Sequence, residues 1–310
     1  MSATPLISGF TILRHGVQFD YPFEQSIESL LPLVDELVVN VGIGEDATLA
    51  RLQEMQRTHP KIVLFESHWP LNDPEKKRGG QILAEQTNLA LDRCKHDWCL
   101  YLQADEVLHE EDRERLLSTL AKAHQDPNVD GVLFDYIHFY GSYDVIQHSR
   151  SVYRREVRLV RKSSGARSVG DAQSFRKDGG VKLTVLRSGA RVFHYGGVRT
   201  PEAMREKTFF MDQLYHGAPT SEQLKTRTPH TGENYRYKKI LGLRRFQATH
   251  PATMKTRIAQ KGWSWDLSRS PLEWSFKDLK KMLLDGVERL TGARFFEYRS
   301  YRLRGGGGRW

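Results

Sequence analysis

Apolar residues recur along the first 140 positions in two rhythms that alternate with each other. Leu6 to Leu13 reads as a strand closed by the loop Arg14-His15-Gly16. Pro22 suits the first turn of a short helix whose Phe23, Ile27 and Leu30 share a face, and Pro32 ends it. Leu37 to Val41 is a β-branched run typical of a buried parallel strand, followed by the turn Gly42-Ile43-Gly44. Asp46 opens a helix carrying Leu49, Leu52 and Met55 at helical spacing, and Ile62 to Phe65 supplies a third strand. The order β-α-β-α-β predicts a parallel sheet with right-handed crossovers.

Pro70 to Gly80 is a loop rich in Pro, Gly, Asn and charge that contains Lys76, Lys77 and Arg78 before Gly79-Gly80. A helix over about Gln81 to Lys95 turns Ile82, Leu83, Leu89 and Ala90 inward. The apolar, aromatic run Trp98 to Leu102 then breaks off into Gln103-Ala104-Asp105-Glu106. Leu116, Leu117 and Leu120 mark the following helix, and Gly131 to His138 the following strand.

Beyond residue 140 the alternation stops. Glu156 to Arg161, Leu183 to Arg187 and Val192 to Tyr195 read as shorter strands, mixed or antiparallel, between Gly- and Ser-rich turns. A helix starts at Thr200-Pro201-Glu202 and ends before Gly217. Residues 218–270 are polar and Pro-punctuated and give no clear pattern. Ser270-Pro271-Leu272-Glu273 has the form of a capping box, after which Leu272, Phe276, Leu279, Leu283, Val287 and Leu290 line one helix face. Gly305 to Gly308 read as a flexible, disordered end.

The composition, 39% apolar and 27% charged, is that of a globular chain, and no apolar run approaches the ~20 residues that span a bilayer. The N-terminus lacks a basic region leading into an apolar one, so a cytosolic protein is expected. Cys94 and Cys99 lack metal-ligand spacing and fit buried, reduced thiols. A net charge of +9 favours an anionic partner. Nucleic acid is not expected, because no helix-turn-helix, finger or RNP-like signature accompanies the charge.

In an open α/β sheet ligands bind outside the carboxyl ends of the strands, so the acids after Leu102 can hold a cation against a bound diphosphate. Glu106 capping the next helix and Asp105 making a turn is the alternative. Lys76, Lys77 and Arg78 can cradle phosphate or remain solvated. The basic, aromatic tail, with Arg294, Phe295, Phe296, Tyr298, Arg299, Tyr301 and Arg302, can meet anionic lipid or a lipid-linked acceptor; a helix packed on the rest of the chain with its charges in water is the reading expected.

Three groups of segments stand out together: Asp35 to Val39 with Gly42 and Asp46-Ala47-Thr48; Asn88 followed by Asp97-Trp98 and Gln103-Ala104-Asp105-Glu106; and Phe193-His194-Tyr195-Gly196 with the helix bearing Lys207. In this order they resemble the family 2 glycosyltransferases of bacteria, of the lipooligosaccharide glucosyltransferase-like branch. The resemblance implies an α/β chain of the GT-A (Rossmann-like) fold: a mostly parallel sheet flanked by helices, a mixed second half and a C-terminal helical extension. Residues 1–217 would be the catalytic domain, its nucleotide-sugar half about 1–110 and its acceptor half about 111–217, and 218–310 the basic extension.

It further implies transfer of a sugar, with inversion, from a nucleotide-diphosphate sugar to a cell-envelope glycan or lipid-linked acceptor, in the cytoplasm or at the inner membrane face. Mg²⁺ or Mn²⁺ would be held by Asp105, Glu106 and His194. Asn40, Arg78, Gln103 and Asp105 would contact the donor, with Gln103 in place of the first acid of the family's D-x-D motif. Asp171, in Val169-Gly170-Asp171-Ala172, would be the catalytic base, with Asp135 and Asp144 as reserves. A non-catalytic nucleotide- or glycan-binding module of the same fold is the other reading.

Overall fold

The structure is a computed structural model and describes residues 5–71, 73, 76, 79–216, 235–268, 270–291 and 294–305. Its first half alternates as the apolar pattern predicts: β1 (Ile7–Leu13), α1 (Phe23–Leu30), β2 (Glu36–Gly42), α2 (Thr48–Thr58), β3 (Ile62–Ser67), α3 (Gln81–Arg93) and β4 (Trp98–Tyr101). These strands stand in the order β3-β2-β1-β4 and pair in parallel throughout. Successive strand residues point to opposite faces, so a sheet covered on both sides needs apolar residues at every position. Leu37, Val39 and Val41 join one core with Phe23, Ile27 and Leu30 of α1. Val38 joins the other with Ile82, Ala90 and Leu91 of α3.

The second half contains β5 (Glu106–Leu108), α4 (Arg113–Gln125), β6 (Gly131–Tyr140), β7 (Ser142–Gln147), β8 (Arg155–Arg161), β9 (Arg167–Val169), β10 (Ser174–Lys177) and β11 (Val181–Gly197). The sheet continues past β4 through β8, β6, β11 and β10 to β9. β8 runs antiparallel to both neighbours, whereas β6 and β11 are parallel. The protein is therefore α/β, with a parallel first half, a mixed second half and flanking helices.

Two short strands expected over 183–195 are one strand of 17 residues, β11. Its register against β6 shifts between Arg187 and Arg191, where Gly189 has φ 71°. This bulge, built on Ser188-Gly189, reads as a break when only the sequence is in hand.

The chain closes with α5 (Pro201–His216), β12 (Leu243–Arg245), α6 (Lys255–Ala259), α7 (Phe276–Thr291) and β13 (Tyr301–Leu303). β12 pairs with β7 and β13 with β11, so segments beyond residue 235 return to the same sheet. Residues 217–234 of the unpatterned stretch and the glycines beyond Gly305 lie outside the described residues. Cys94 and Cys99 are both buried and free. Among the described residues no helix is long and apolar enough to cross a membrane.

One expectation for the last helix is corrected. It starts at Phe276 and not after Ser270: Ser275 N and Oγ donate to Asp278 Oδ2 at 2.9 and 2.7 Å, a cap closed across three residues. Leu272 instead bridges Lys239, and Glu273 N donates to Lys239 O at 2.8 Å. The apolar face of this helix looks outward, with Leu283 at 66% exposure, while Asp285 and Glu288 turn in against Arg150. The tail expected as a packed helix returns instead to the sheet as β13.

Candidate active site

After β4 the chain passes Gln103 and Ala104 to Asp105 and re-enters the sheet as β5. β5 pairs antiparallel with β11 so that Glu106 stands opposite His194, and Tyr195 N donates to Asp105 O at 2.8 Å. This pairing carries the acid after β4 and the histidine near the end of β11 to one place. Both line a cavity of about 240 Å³, together with Arg14, Gln103, Asp171 and Lys207. The cavity lies against the carboxyl ends of β1 and β4, where parallel sheets place ligands.

Asp105 is 5% exposed and faces two cations and a histidine. Lys207 Nζ donates to its Oδ2 at 2.9 Å, Arg199 Nη2 lies 3.6 Å from the same oxygen, and His194 Nε2 lies 3.6 Å from Oδ1. Burial alone would raise the Asp105 pKa, but the charges around it, Lys207 foremost, outweigh that and hold the carboxylate well below its usual range. Burial and the nearby Arg199 bring the Lys207 ammonium down to about 8, with Asp105 opposing. Two cationic side chains thus face one carboxylate, leaving a positive surplus suited to an anion. The Tyr21 ring packs against both, 4.7 Å from the Arg199 guanidinium and 5.0 Å from Lys207 Nζ.

The protonation of the histidines follows from their partners. His138 Nε2 lies 2.7 Å from Tyr153 O, an acceptor only, so this nitrogen carries the proton. Burial lowers the His138 pKa to about 3, so the ring is neutral and its Nδ1 has a lone pair. His194 Nδ1, 2.9 Å away, must then donate to it. Burial likewise lowers the His194 pKa, which leaves Nε2 unprotonated and turned toward Asp105. Two acceptors face each other across 3.6 Å. Asp105 and His194 would offer a divalent cation two ligand atoms here. Among the described residues no cluster of three or more His, Cys, Asp or Glu forms a metal site.

Gly196 keeps this corner open. A Cβ there would lie 2.5 Å from His194 Nε2 and 3.2 Å from Asp105 Oδ2, and Lys207 Nζ donates to Gly196 O at 3.2 Å.

The other expected residues divide sharply. Gln103 lines the cavity, and its Nε2 reaches Ala172 O at 3.5 Å. Asp171 also lines it, accepting from Tyr215 OH at 2.7 Å and Gln173 N at 3.3 Å. Its loop is pinned to α3 by the Asn88 amide, which donates to Ser168 O and accepts from Ser168 N at 3.0 and 2.8 Å.

Glu106, expected beside the metal, is fully buried and turned away. It accepts from Arg158 Nε and Nη2 at 2.9 and 2.8 Å, from Tyr136 OH at 2.9 Å and from Gln103 N at 3.1 Å, so no lone pair is left for an ion. Asn40, expected to touch a base, is also fully buried and does not line the cavity. Its amide donates to Gln86 O and Oε1 at 3.0 Å and accepts from Ser67 Oγ at 2.5 Å. Asp135 pairs with Arg155 and Arg187, and Asp144 with Arg245, away from the cavity lining. Lys76 pairs with Glu85 at 3.0 Å. Lys77 and Arg78 lie outside the described residues.

Sequence reasoning missed Arg199, His138 and Arg158. Nothing in a single chain marks an arginine or a histidine as buried, whether in a strand, as His138 and Arg158, or just past one, as Arg199. Lys207 entered only through a resemblance, although a lysine on the buried side of α5, beside Ala203 and Met204, was a usable signal.

No protein-family model matches the chain, and no curated protein matches its sequence. Among solved structures it is similar to S. aureus TarS 1-349, at 13% identity and a TM-score of 0.39, covering 71% of this chain and 68% of that one. It is similar to the mannosyltransferase PcManGT from Pyrobaculum calidifontis in complex with GDP-Man and Mn²⁺, at 20% identity and a TM-score of 0.32, over 42% of this chain and 35% of that one. A third is GalNAc-T7 with UDP, GalNAc and Mn²⁺, at 11% identity and a TM-score of 0.40, over 74% and 55% of the two chains.

Proposed function

We propose that the chain is a glycosyltransferase of the GT-A, family 2-like kind. It moves a sugar, with inversion, from a nucleotide-diphosphate sugar to a cell-envelope glycan or lipid-linked acceptor. The observation that carries the reading is Asp105 at the rim of a parallel sheet with Lys207 Nζ at 2.9 Å and His194 Nε2 at 3.6 Å.

Breaking the glycosidic bond develops charge on the departing diphosphate, and fixed positive charge in a dry site favours that transition state. Lys207 and Arg14 supply such charge at the cavity wall. A Mg²⁺ or Mn²⁺ ion held by Asp105 and His194 would add Lewis-acid stabilisation of the leaving group when bound. The tautomer of His194 keeps an acceptor turned toward that position. Gln103 lies along the donor, and Asp171 takes the proton of the acceptor hydroxyl. Because about 240 Å³ is below the ~300–1,000 Å³ of most small-molecule sites, the cavity encloses the reacting end of the donor and leaves the rest at its mouth. Residues 1–217 would carry the reaction and 218–310 the basic extension.

Release of nucleoside diphosphate from a panel of nucleotide sugars tests this, with wild type against Asp105→Ala and Asp171→Ala. Turnover lost in both variants supports the proposal; turnover indifferent to both contradicts it. A second reading, a non-catalytic nucleotide-binding module, draws on Asp105 being already neutralised by Lys207. Affinity for a nucleotide sugar without metal dependence or turnover would favour it.

A further inference from the structure

Helix α7 presents its faces in the reverse of the usual arrangement for a surface helix, whose apolar side covers the core. Asp285 Oδ1 lies 3.2 Å from Arg150 Nε and Glu288 Oε2 3.1 Å from Arg150 Nη2, and Arg154 and Arg294 also pair with Glu288. Lys281 Nζ donates to Ser151 Oγ at 2.8 Å. The charged side is therefore the docked side. The opposite stripe, Phe276, Leu279, Leu283, Val287 and Leu290, is exposed, with Phe276 at 85% and Leu290 at 89%. Phe295 and Phe296 extend the exposed apolar surface just past the helix. A continuous apolar stripe left in water is unfavourable and marks an interaction surface.

The surrounding charge selects the occupant. The acids of α7 are turned inward against arginines or, at Asp278, into the helix cap, so none stands between the stripe and an anion. Residues 270–305 carry eight Lys and Arg against five Asp and Glu; Lys281, Arg294, Arg299 and Arg304 pair with acids, while Lys280 is exposed beside the stripe and Arg302 is exposed beyond it. A helix with an outward apolar stripe, an exposed lysine beside it and exposed aromatic rings just past it matches a helix lying in the headgroup layer of a bilayer. We propose that α7 and the aromatic segment after it dock the protein on an anionic lipid surface. The segment between β7 and β8 joins that surface to the cavity: Arg150, Ser151 and Arg154 grip α7, while Tyr153 lines the cavity. The inference stands apart from sugar transfer, since lipid docking needs no turnover.

Flotation of the full chain with vesicles of phosphatidylcholine and phosphatidylglycerol, against pure phosphatidylcholine, tests it, with light scattering on the same samples. The expected result is a monomer retained on the anionic vesicles and released by salt. Phe276→Glu and Leu283→Glu, at exposed positions, leave the circular dichroism spectrum unchanged and each weaken retention roughly tenfold. Absence of retention, equal retention on the two vesicle types, or retention unmoved by both substitutions overturns the proposal. So does a dimer that both substitutions dissociate, which would make the stripe a contact between copies of the chain.

Discussion

Lys207 Nζ and Asp105 Oδ2 meet at 2.9 Å although 102 residues separate them in sequence. Each is the other's nearest counter-charge in a buried setting, and Arg199 stands behind at 3.6 Å. Asp105→Ala leaves Lys207 and Arg199 facing each other without an anion, so it lowers stability by about 3 kcal/mol. Lys207→Met costs less, because Arg199 still faces the acid. In the double variant the two losses add to less than their sum, read by denaturant unfolding as a double-mutant cycle.

Glu106 is a structural acid and behaves as one. Glu106→Gln removes the charge from a fully buried pair with Arg158 and lowers unfolding stability by about 3 kcal/mol. Divalent-ion affinity stays as in the wild type. A variant of normal stability with weakened ion binding would restore Glu106 to the metal site.

His138 fixes which nitrogen of His194 faces Asp105. His138→Phe removes the acceptor of the His194 Nδ1 proton, so the ring loses its fixed tautomer. Mn²⁺ affinity in the presence of a nucleoside diphosphate falls roughly tenfold or more. Nitrogen chemical shifts of His194 change from one tautomer to a mixture. Unchanged shifts would show that the imidazole is held by something else.

Burial pushes His138 to about 3 and His250 to about 4, whereas an unfolded histidine titrates near 6.5. Between those values the unfolded chain binds protons that the folded chain refuses. The stability these groups contribute is thus complete above about pH 6.5 and is lost as pH falls toward 4 and 3. For His138, 6% exposed, the loss approaches about 1.4 kcal/mol per pH unit. Urea unfolding at pH 7 and pH 5 measures the slope, and His250→Phe, which removes the ring bonded to Tyr195 OH at 2.8 Å, makes it shallower.

The parallel half of the fold was legible because each element repeats one rule. Strands such as Leu37 to Val41 are apolar on both faces, and Phe23, Ile27 and Leu30 recur at helical spacing. The region around β11 was not legible, because the bulge at Ser188-Gly189 breaks its pattern with polar residues. The stripe of α7 was found, but not what lies on either side of it. Periodicity identifies an apolar face and not what covers it; only the ion pairs of Arg150 with Asp285 and Glu288 reveal that the charged face is docked. At the site, Asp105 was singled out from its strand end and His194 through the resemblance, and both line the cavity; Glu106 was misjudged because Arg158 lies 52 positions away, and Arg199 carried no local signal.

The central claim is that the Asp105–Lys207 pair stands where a donor's diphosphate binds. Calorimetric titration with UDP and GDP, with and without Mn²⁺, measures it most directly, on wild type and on Lys207→Met. The account predicts saturable binding by the wild type of at least one of them, weakened roughly tenfold or more when the ammonium is removed. Heat of binding absent for both diphosphates, or unmoved by Lys207→Met, would contradict it.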